Sequence, residues 1–223
     1  MLSQTRHRNN HLKLLTSDVT GSYSVKVRRD TELFIHQRFA EAHNADIQQF
    51  MPILLCLKDK FLSPRAALGL RPAQGDKLFL ENYFSEPIEN VISGKVSRSI
   101  QRSEIIEAGN LAIGEKGDAR ALIIAMTAFL SAANIKWVCF TIGPVLINSF
   151  TRLGIPLIEL GPARLDMLPR EEQSAWGDYY DQKPKVMAGC LSDARDFLLR
   201  HSLQERVMSE LWQQAQQIGA KAA

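Results

Sequence analysis

The sequence predicts an α/β (α+β) domain: a mixed, mostly antiparallel central sheet with helices on both faces, plus a C-terminal helix. Three observations lead there. Two apolar runs, "MPILLCLKD" and Ala66–Leu70, flank a turn at Ser63–Pro64, which marks an antiparallel hairpin. The later pattern is strand, helix, strand, helix, strand, and such crossovers place helices on both sides of a sheet. Between the two halves, "NLAIGEKGDARALIIAMTAFL" feeds a strand through a glycine turn into the longest helical stretch.

Read in order, "YSVKVR" (Tyr23–Arg28) alternates and predicts a strand. Asp30 or Thr31 then caps a helix to about Asn44, with Leu33, Phe34, Ile35, Phe39 and Ala42 on its apolar side. The hairpin follows, and then "KLFLENYF", amphipathic and undecided in type. "EPIENVISGK" is a helix with Pro87 just inside its start, where a missing N–H costs nothing. "SEIIEAGNLAI" is a strand, Asp118–Asn134 a helix, and "KWVCFTI" a strand. "VLINSFTRLG" is a helix stopped by Gly154, and "IPLIELG" is a closing strand. From Ala163 an irregular stretch rich in aromatics ("WGDYYDQKP") leads to an amphipathic helix over Ser192–Gly219. The predicted organisation is a mobile N-terminal tail (1–20), one domain (21–191) and the C-terminal helix (192–223).

With 223 residues, 45% of them hydrophobic and 23% charged, the chain can bury one full core. A net charge of +3 permits an acidic partner without demanding one. The one basic cluster, Arg6, His7, Arg8, His11 and Lys13, is too sparse for a nucleic-acid interface. Cys56, Cys139 and Cys190 lie far apart in apolar surroundings and read as buried thiols in a reducing compartment. His36 and His43 stand two helical turns apart without a third ligand, so no metal site is expected, nor any tightly bound cofactor. "MLSQTRHRNNHLK" lacks the apolar core of a secretory signal, and the runs Ala121–Ala133 and Trp137–Ile142 are too short to span a bilayer. A soluble, cytoplasmic protein is expected. No Gly-x-Ser-x-Gly elbow exists, so a serine esterase lacks its nucleophile.

The glycine turn carries the first chemical hypothesis. Gly114, Lys116 and Gly117 precede a helix that opens with Asp118, Ala119 and Arg120. Glycines in such a turn are either punctuation or a way to bring bare N–H groups to a phosphate at a helix N-terminus, with Lys116 and Arg120 adding charge.

This strand, glycine turn, helix, strand and second helix resemble the acyl-CoA N-acyltransferase superfamily. There a phosphopantetheine arm lies between two splayed central strands and its diphosphate sits on the turn, whose usual pattern is Gln/Arg-x-x-Gly-x-Gly/Ala. Gly117 and Ala119 match, while Gly114 stands where Gln or Arg is expected, which counts against tight coenzyme A binding. The acetyltransferases place a tyrosine acid four residues before the glycine closing the later helix, and here that position is Phe150. Synthases of N-acyl homoserine lactones also lack that tyrosine and draw acyl chains from acyl carrier protein. Their strand glutamate corresponds to Glu107 and their later threonine to Thr141. From about Tyr23 to Leu191 the chain is also similar to the bacterial family labelled thermostable hemolysin, through "GLRPAQGDKLFLENYFSEPIE", "IIEAGNLAIG", "WVCFTIG" and "WGDYYDQKPKV".

The implied activity is N-acyl transfer from a phosphopantetheine thioester, on acyl carrier protein or coenzyme A, to the amine of a small molecule. Glu107, alternating with Ile105, Gly109 and Leu111 on one side of its strand, is either the general base or an ion-pair partner of Arg71, Arg98 or Arg102. Backbone amides around Leu111, Ala112 and Ile113 would hold the oxyanion. Tyr179 or Tyr180 would supply the proton that Phe150 cannot. Trp176, Tyr179 and Tyr180 read as a site edge or lid. Phe34, Phe39, Phe79, Tyr83 and Phe84 either line an acyl tunnel or pack the core. Glu81 either orients the substrate or lies on a mobile flap. Asn110 satisfies backbone groups or touches substrate, and Arg71, Trp137 and Thr141 are further candidate substrate contacts. Acidic acyl carrier protein would dock on Lys95, Arg98, Arg102, Lys116 and Arg120. The alternative is a membrane-active protein binding lipid through Phe197, Leu198, Leu199, Leu203, Val207, Leu211 and Trp212 of the C-terminal helix.

Overall fold

One sheet contains β1 (Lys13–Thr16), β2 (Ile53–Lys58), β3 (Pro64–Pro72), β4 (Ile105–Ile113), β5 (Trp137–Ile142), β6 (Ile158–Pro162) and β7 (Lys185–Cys190). The computed structural model describes residues 12–17, 22–115 and 117–222. The spatial order is β1-β2-β3-β4-β5-β7-β6, and among the described strand pairs β4–β5 alone is parallel. The helices are α1 (Ser22–His43), α2 (Ile88–Val96), α3 (Asp118–Ala132), α4 (Pro144–Arg152), α5 (Arg170–Gln173), α6 (Leu191–His201) and α7 (Arg206–Gly219).

Alternation along the strands sorts their side chains to the two faces. Leu55, Leu57, Leu68, Leu70, Ile106, Ala108, Val138 and Phe140 meet α3, α4, α6 and α7 in the larger core. On the other face α1 packs Ile35 and Phe39 on Leu54, Cys56, Ala67 and Ala112, while α2 sets Ile88 and Ile92 against Ile105, Trp137 and Cys139. The two helix layers cover the predicted mixed sheet.

Four sequence expectations change. Tyr23–Arg28 belongs to α1 rather than to a strand, because Val27, Thr31, Ile35 and Phe39 form one buried stripe at four-residue spacing, and Thr31 donates from inside the helix to the Val27 carbonyl at 2.6 Å. Part of the predicted tail, Lys13–Thr16, is a strand paired with β2, whereas Arg6, His7, Arg8 and His11 lie outside the described residues. The stretch after Ala163 contains β7, inserted between β5 and β6, where small and apolar residues pair on both edges. The single helix expected over Ser192–Gly219 is two helices broken around Ser202. The break lets Leu198 of α6 and Leu211, Trp212 and Ala215 of α7 all reach the α3 core. The apolar face assigned to lipid is therefore largely covered by protein, and among the described residues no helix is long and apolar enough to cross a membrane.

Candidate active site

The site begins where the two central strands separate. β4 and β5 pair from Ile105↔Trp137 to Ala108↔Phe140, after which β4 continues on β3 to Ile113 and β5 continues on β7 to Ile142. A bulge accompanies the separation: the β3–β4 register shifts between Ala67↔Ala112 and Gly69↔Gly109, with Asn110 at φ 47°. Asn110 stabilises the bulge by accepting the Met51 N–H at 2.9 Å and donating to the Gln49 carbonyl at 3.2 Å. The extra residue also reverses the alternation. Leu111 and Ile113 turn to the α3 side, and Ala112, not Leu111, returns to the side of Glu107 and Gly109.

Glu107 points to the α1–α2 face and is 2% exposed. Its carboxylate accepts the N–H groups of Phe79 at 3.0 Å and Leu80 at 2.9 Å, which start the 3-10 turn Phe79–Tyr83. Burial pushes its pKa up from 4.5 to about 7, although the two amides and the charge of Arg71 pull the other way. Arg71, opposite Glu107 in the β3–β4 register, forms no ion pair with it among the described residues. Arg98 stacks over Trp137 at 5.5 Å, and Arg102 is taken by Glu81 at 2.6 Å and Glu89 at 2.7 Å. Neither arginine is the partner considered for Glu107.

Glu81 is buried rather than on a flap. It accepts the Leu78 and Ile88 amides, at 2.8 and 2.9 Å, tying the 3-10 turn to the start of α2. Burial opposes its ionisation, but Arg102 and those amides outweigh it and hold the carboxyl below its usual range.

An aromatic wall stands over the opening. Trp176 contacts Phe79 at 5.4 Å, Tyr179 at 5.3 Å, Tyr180 at 5.7 Å and Phe39 at 6.3 Å. Tyr83 and Tyr180 join hydroxyl to hydroxyl, and Tyr179 donates to the Thr141 carbonyl at 3.1 Å. Burial raises the pKa of all three tyrosines, Tyr180 to about 12. The hydroxyl oxygen of Thr141, beside the separation point, is buried without a partner among the described residues. The segment carrying Trp176 and the tyrosines is seated by Gly177 at φ 51°, where a Cβ would come within 2.0 Å of the His43 carbonyl. The structure thus assembles Phe39, Phe79, Tyr83, Thr141, Trp176, Tyr179 and Tyr180. Phe34 packs on the neighbouring α1 core, and Trp137 lies at the start of β5, roughly 13 Å along the strand from Thr141.

At the glycine turn the local interactions are largely internal. Gly114 lies against β3, donating to the Arg65 carbonyl at 2.8 Å, and Gly117 adopts φ 98° at the N-cap of α3. Asp118, the first residue of α3, is taken up locally: it meets Arg65 at 3.0 and 3.1 Å and accepts the Glu115 N–H at 2.9 Å. Arg120 pairs with Glu205 at 2.7 Å, Ala119 is half-buried, and Lys116 lies outside the described residues. The cations expected to dock a carrier do not form one surface. Arg98 and Arg102 are at the start of β4 and β5, whereas Arg120 is beyond the far end of β4, about 26 Å away along that strand.

A family model described as thermostable hemolysin matches residues 23–195. The chain belongs to the thermostable hemolysin family. No match was found among curated proteins. Solved structures similar to this family member include the AHL synthase LasI, at TM-score 0.58 and 13% identity over 88% of this chain and 99% of that one. The CoA-dependent acyl-homoserine lactone synthase MesI follows at TM-score 0.54 and 13% identity, with 88% and 97% covered. FeeM, an N-acyl amino acid synthase from uncultured soil microbes, is similar at TM-score 0.56 and 10% identity, with 85% and 97% covered. At these identities the likeness establishes the fold, that of the acyl-transferring enzymes.

Sequence reasoning missed three contributors. Met51 lies over Gly69 and Gly109, within 2.7 and 2.5 Å of where their Cβ atoms would be. His43 stacks edge-on to Tyr179 at 5.2 Å and contacts Gln182 at 3.1 Å. Arg65 pairs with Asp118 across 53 positions. None has a local signal, although two glycines at matching strand positions hinted that something crosses the sheet closely.

Proposed function

We propose that this protein is an N-acyltransferase that moves a fatty acyl group from a phosphopantetheine thioester to the amine of a small molecule. One observation carries the reading. Two central parallel strands stop pairing at Ala108/Phe140 while both continue, so that beyond this point their facing backbone edges, at the middle of the sheet, are not paired with each other. A pantetheine arm, with two amide bonds, fits such an edge as an added strand does. The Thr141 hydroxyl, without a partner among the described residues, and the aromatic wall suit a thioester with a long acyl chain beside them.

The acceptor nitrogen attacks the thioester carbonyl, forming C–N as C–S breaks. Backbone amides around Leu111, Ala112 and Ile113 would hold the oxyanion. A proton must leave nitrogen and reach the departing sulfur. Glu107, at about 7, lies in the range that accepts from an ammonium and gives to a thiolate near neutral pH. Tyr180, pushed up to about 12, parts with its proton less readily, so the Tyr83–Tyr180 pair is assigned hydrogen bonding rather than proton delivery. The Asp118 carboxylate at the helix N-terminus disfavours a coenzyme A diphosphate, and acyl carrier protein is the preferred donor. Its acidic surface would meet Arg38, Lys60, Arg65 and Arg120 near the turn. An N-acyl product is an amphiphile, which reconciles acyl transfer with a family label that speaks of lysis.

The test is incubation with acetyl and decanoyl thioesters, on coenzyme A and on acyl carrier protein, with a mixture of small amines. Thiol release and amide mass are the readouts. Decanoyl transfer at least about tenfold faster than acetyl is expected, since the aromatic wall can bury a long chain and not an acetyl group. Absence of thiol release with every donor would refute the reading.

A further inference from the structure

The half-buried arginines differ in one respect. Among the described residues Arg28 pairs with Glu32 at 2.8 Å, Arg65 with Asp118 at 3.0 Å, Arg102 with Glu81 at 2.6 Å and Arg120 with Glu205 at 2.7 Å, and Arg38 pairs with Glu41. Arg71 is half-buried too, yet it forms no ion pair or hydrogen bond among those residues. A partly desolvated guanidinium without an anion is unfavourable, and arginine forms its strongest contacts with carboxylates, through two parallel hydrogen bonds. Its cross-strand neighbour Glu107 is a poor counter-ion, since its two oxygens already accept the amides of Phe79 and Leu80.

The surroundings identify what is missing. Arg71 and Glu107 face each other across β3 and β4, and the next facing pair toward the strand separation is Gly69 and Gly109. No side chain of either strand stands there, and the cover is the flexible thioether of Met51. Facing positions on antiparallel strands lie about 5 Å apart. That spacing lets one small molecule place an amine toward Glu107 and a carboxylate on Arg71.

We propose that Arg71 is the binding site for a carboxylate on the acyl acceptor, which makes the acceptor class amino acids rather than simple amines. The proposal rests on the acyl-transfer reading above. The product would then be an N-acyl amino acid, with its chain at the aromatic wall and its carboxylate on Arg71.

The experiment is calorimetric titration of the full chain, at pH 7.5, with N-decanoylglycine and with N-methyldecanamide, which lacks the carboxylate. The wild type, Arg71→Gln and Arg71→Lys are compared, with thermal melts to establish that each is folded. The acid should bind about 10–100-fold more tightly than the neutral amide, the range of charge-assisted hydrogen bonds. Arg71→Gln should remove that advantage without changing the neutral amide, and Arg71→Lys should restore part of it. Equal binding of both compounds by the wild type, or an advantage that survives in Arg71→Gln, overturns the carboxylate site and leaves acyl transfer standing. If neither compound binds the wild type, the acyl pocket is wrong and both readings fall.

Discussion

Replacing Glu107 by Gln removes one ionisable group from the middle of the sheet, and its effect on stability depends on pH in a calculable way. In the folded protein burial raises the Glu107 pKa from 4.5 to about 7. A raised pKa means that the folded state holds this proton more tightly than the unfolded chain. The contribution is fully present below 4.5 and is lost as pH rises through about 7. At roughly 1.4 kcal/mol per unit the loss is on the order of 3 kcal/mol, or about 6–12 °C in Tm for a chain of this size. The amide of Gln has one oxygen for two N–H donors, those of Phe79 and Leu80, and turns an NH₂ group toward the other. That unmade bond costs about 1–3 kcal/mol at every pH. Glu107→Gln should therefore melt below the wild type at pH 5, and the two curves should converge or cross by pH 8. Thermal melts of both proteins at half-unit pH steps provide the difference curve, in which the other carboxylates cancel. Parallel curves from pH 5 to 8 would refute the reasoning, because they would mean that Glu107 titrates elsewhere.

Two further substitutions probe the site. Thr141→Val removes a buried hydroxyl oxygen without a partner among the described residues, so stability should rise by about 1 kcal/mol while decanoyl transfer slows; a lower Tm would reveal a partner for that oxygen. Asp118→Ala breaks the contacts with Arg65 and the Glu115 amide and should cost about 2–3 kcal/mol. The same change removes negative charge from the N-terminus of α3, so coenzyme A should bind more tightly while pantetheine, lacking the diphosphate, should not; equal responses of the two ligands would show that the turn does not meet the diphosphate.

The elements with strong periodicity were legible in the sequence: β2 and β3 with their hairpin, β4, α3, β5 and α4 all form where the apolar pattern places them. α1 was half legible, because six alternating residues imitate a strand when the buried stripe that continues through Phe39 is not seen. β7 escaped notice for a different reason. Six residues rich in small side chains carry little propensity of their own, and the strand exists because β5 and β6 pair with both its edges. The break between α6 and α7 is likewise a packing result, since one straight helix could not bring both apolar faces onto α3.

By itself the sequence determined the mixed architecture, the glycine turn between strand and helix, the absence of a tyrosine at Phe150, and the presence of Glu107 on a central strand. Local patterns carry that information because hydrophobic periodicity, backbone freedom and residue chemistry are properties of short segments. Tertiary structure alone decided what those residues touch. It turned Leu111 away from Glu107 through the bulge at Asn110, paired Asp118 at the start of α3 with Arg65, and buried Glu81 under Arg102. Among the described residues it also left Arg71 without an ion pair or hydrogen bond. Pairing, burial and charge compensation are relations between residues tens of positions apart, and folding is what brings them within reach.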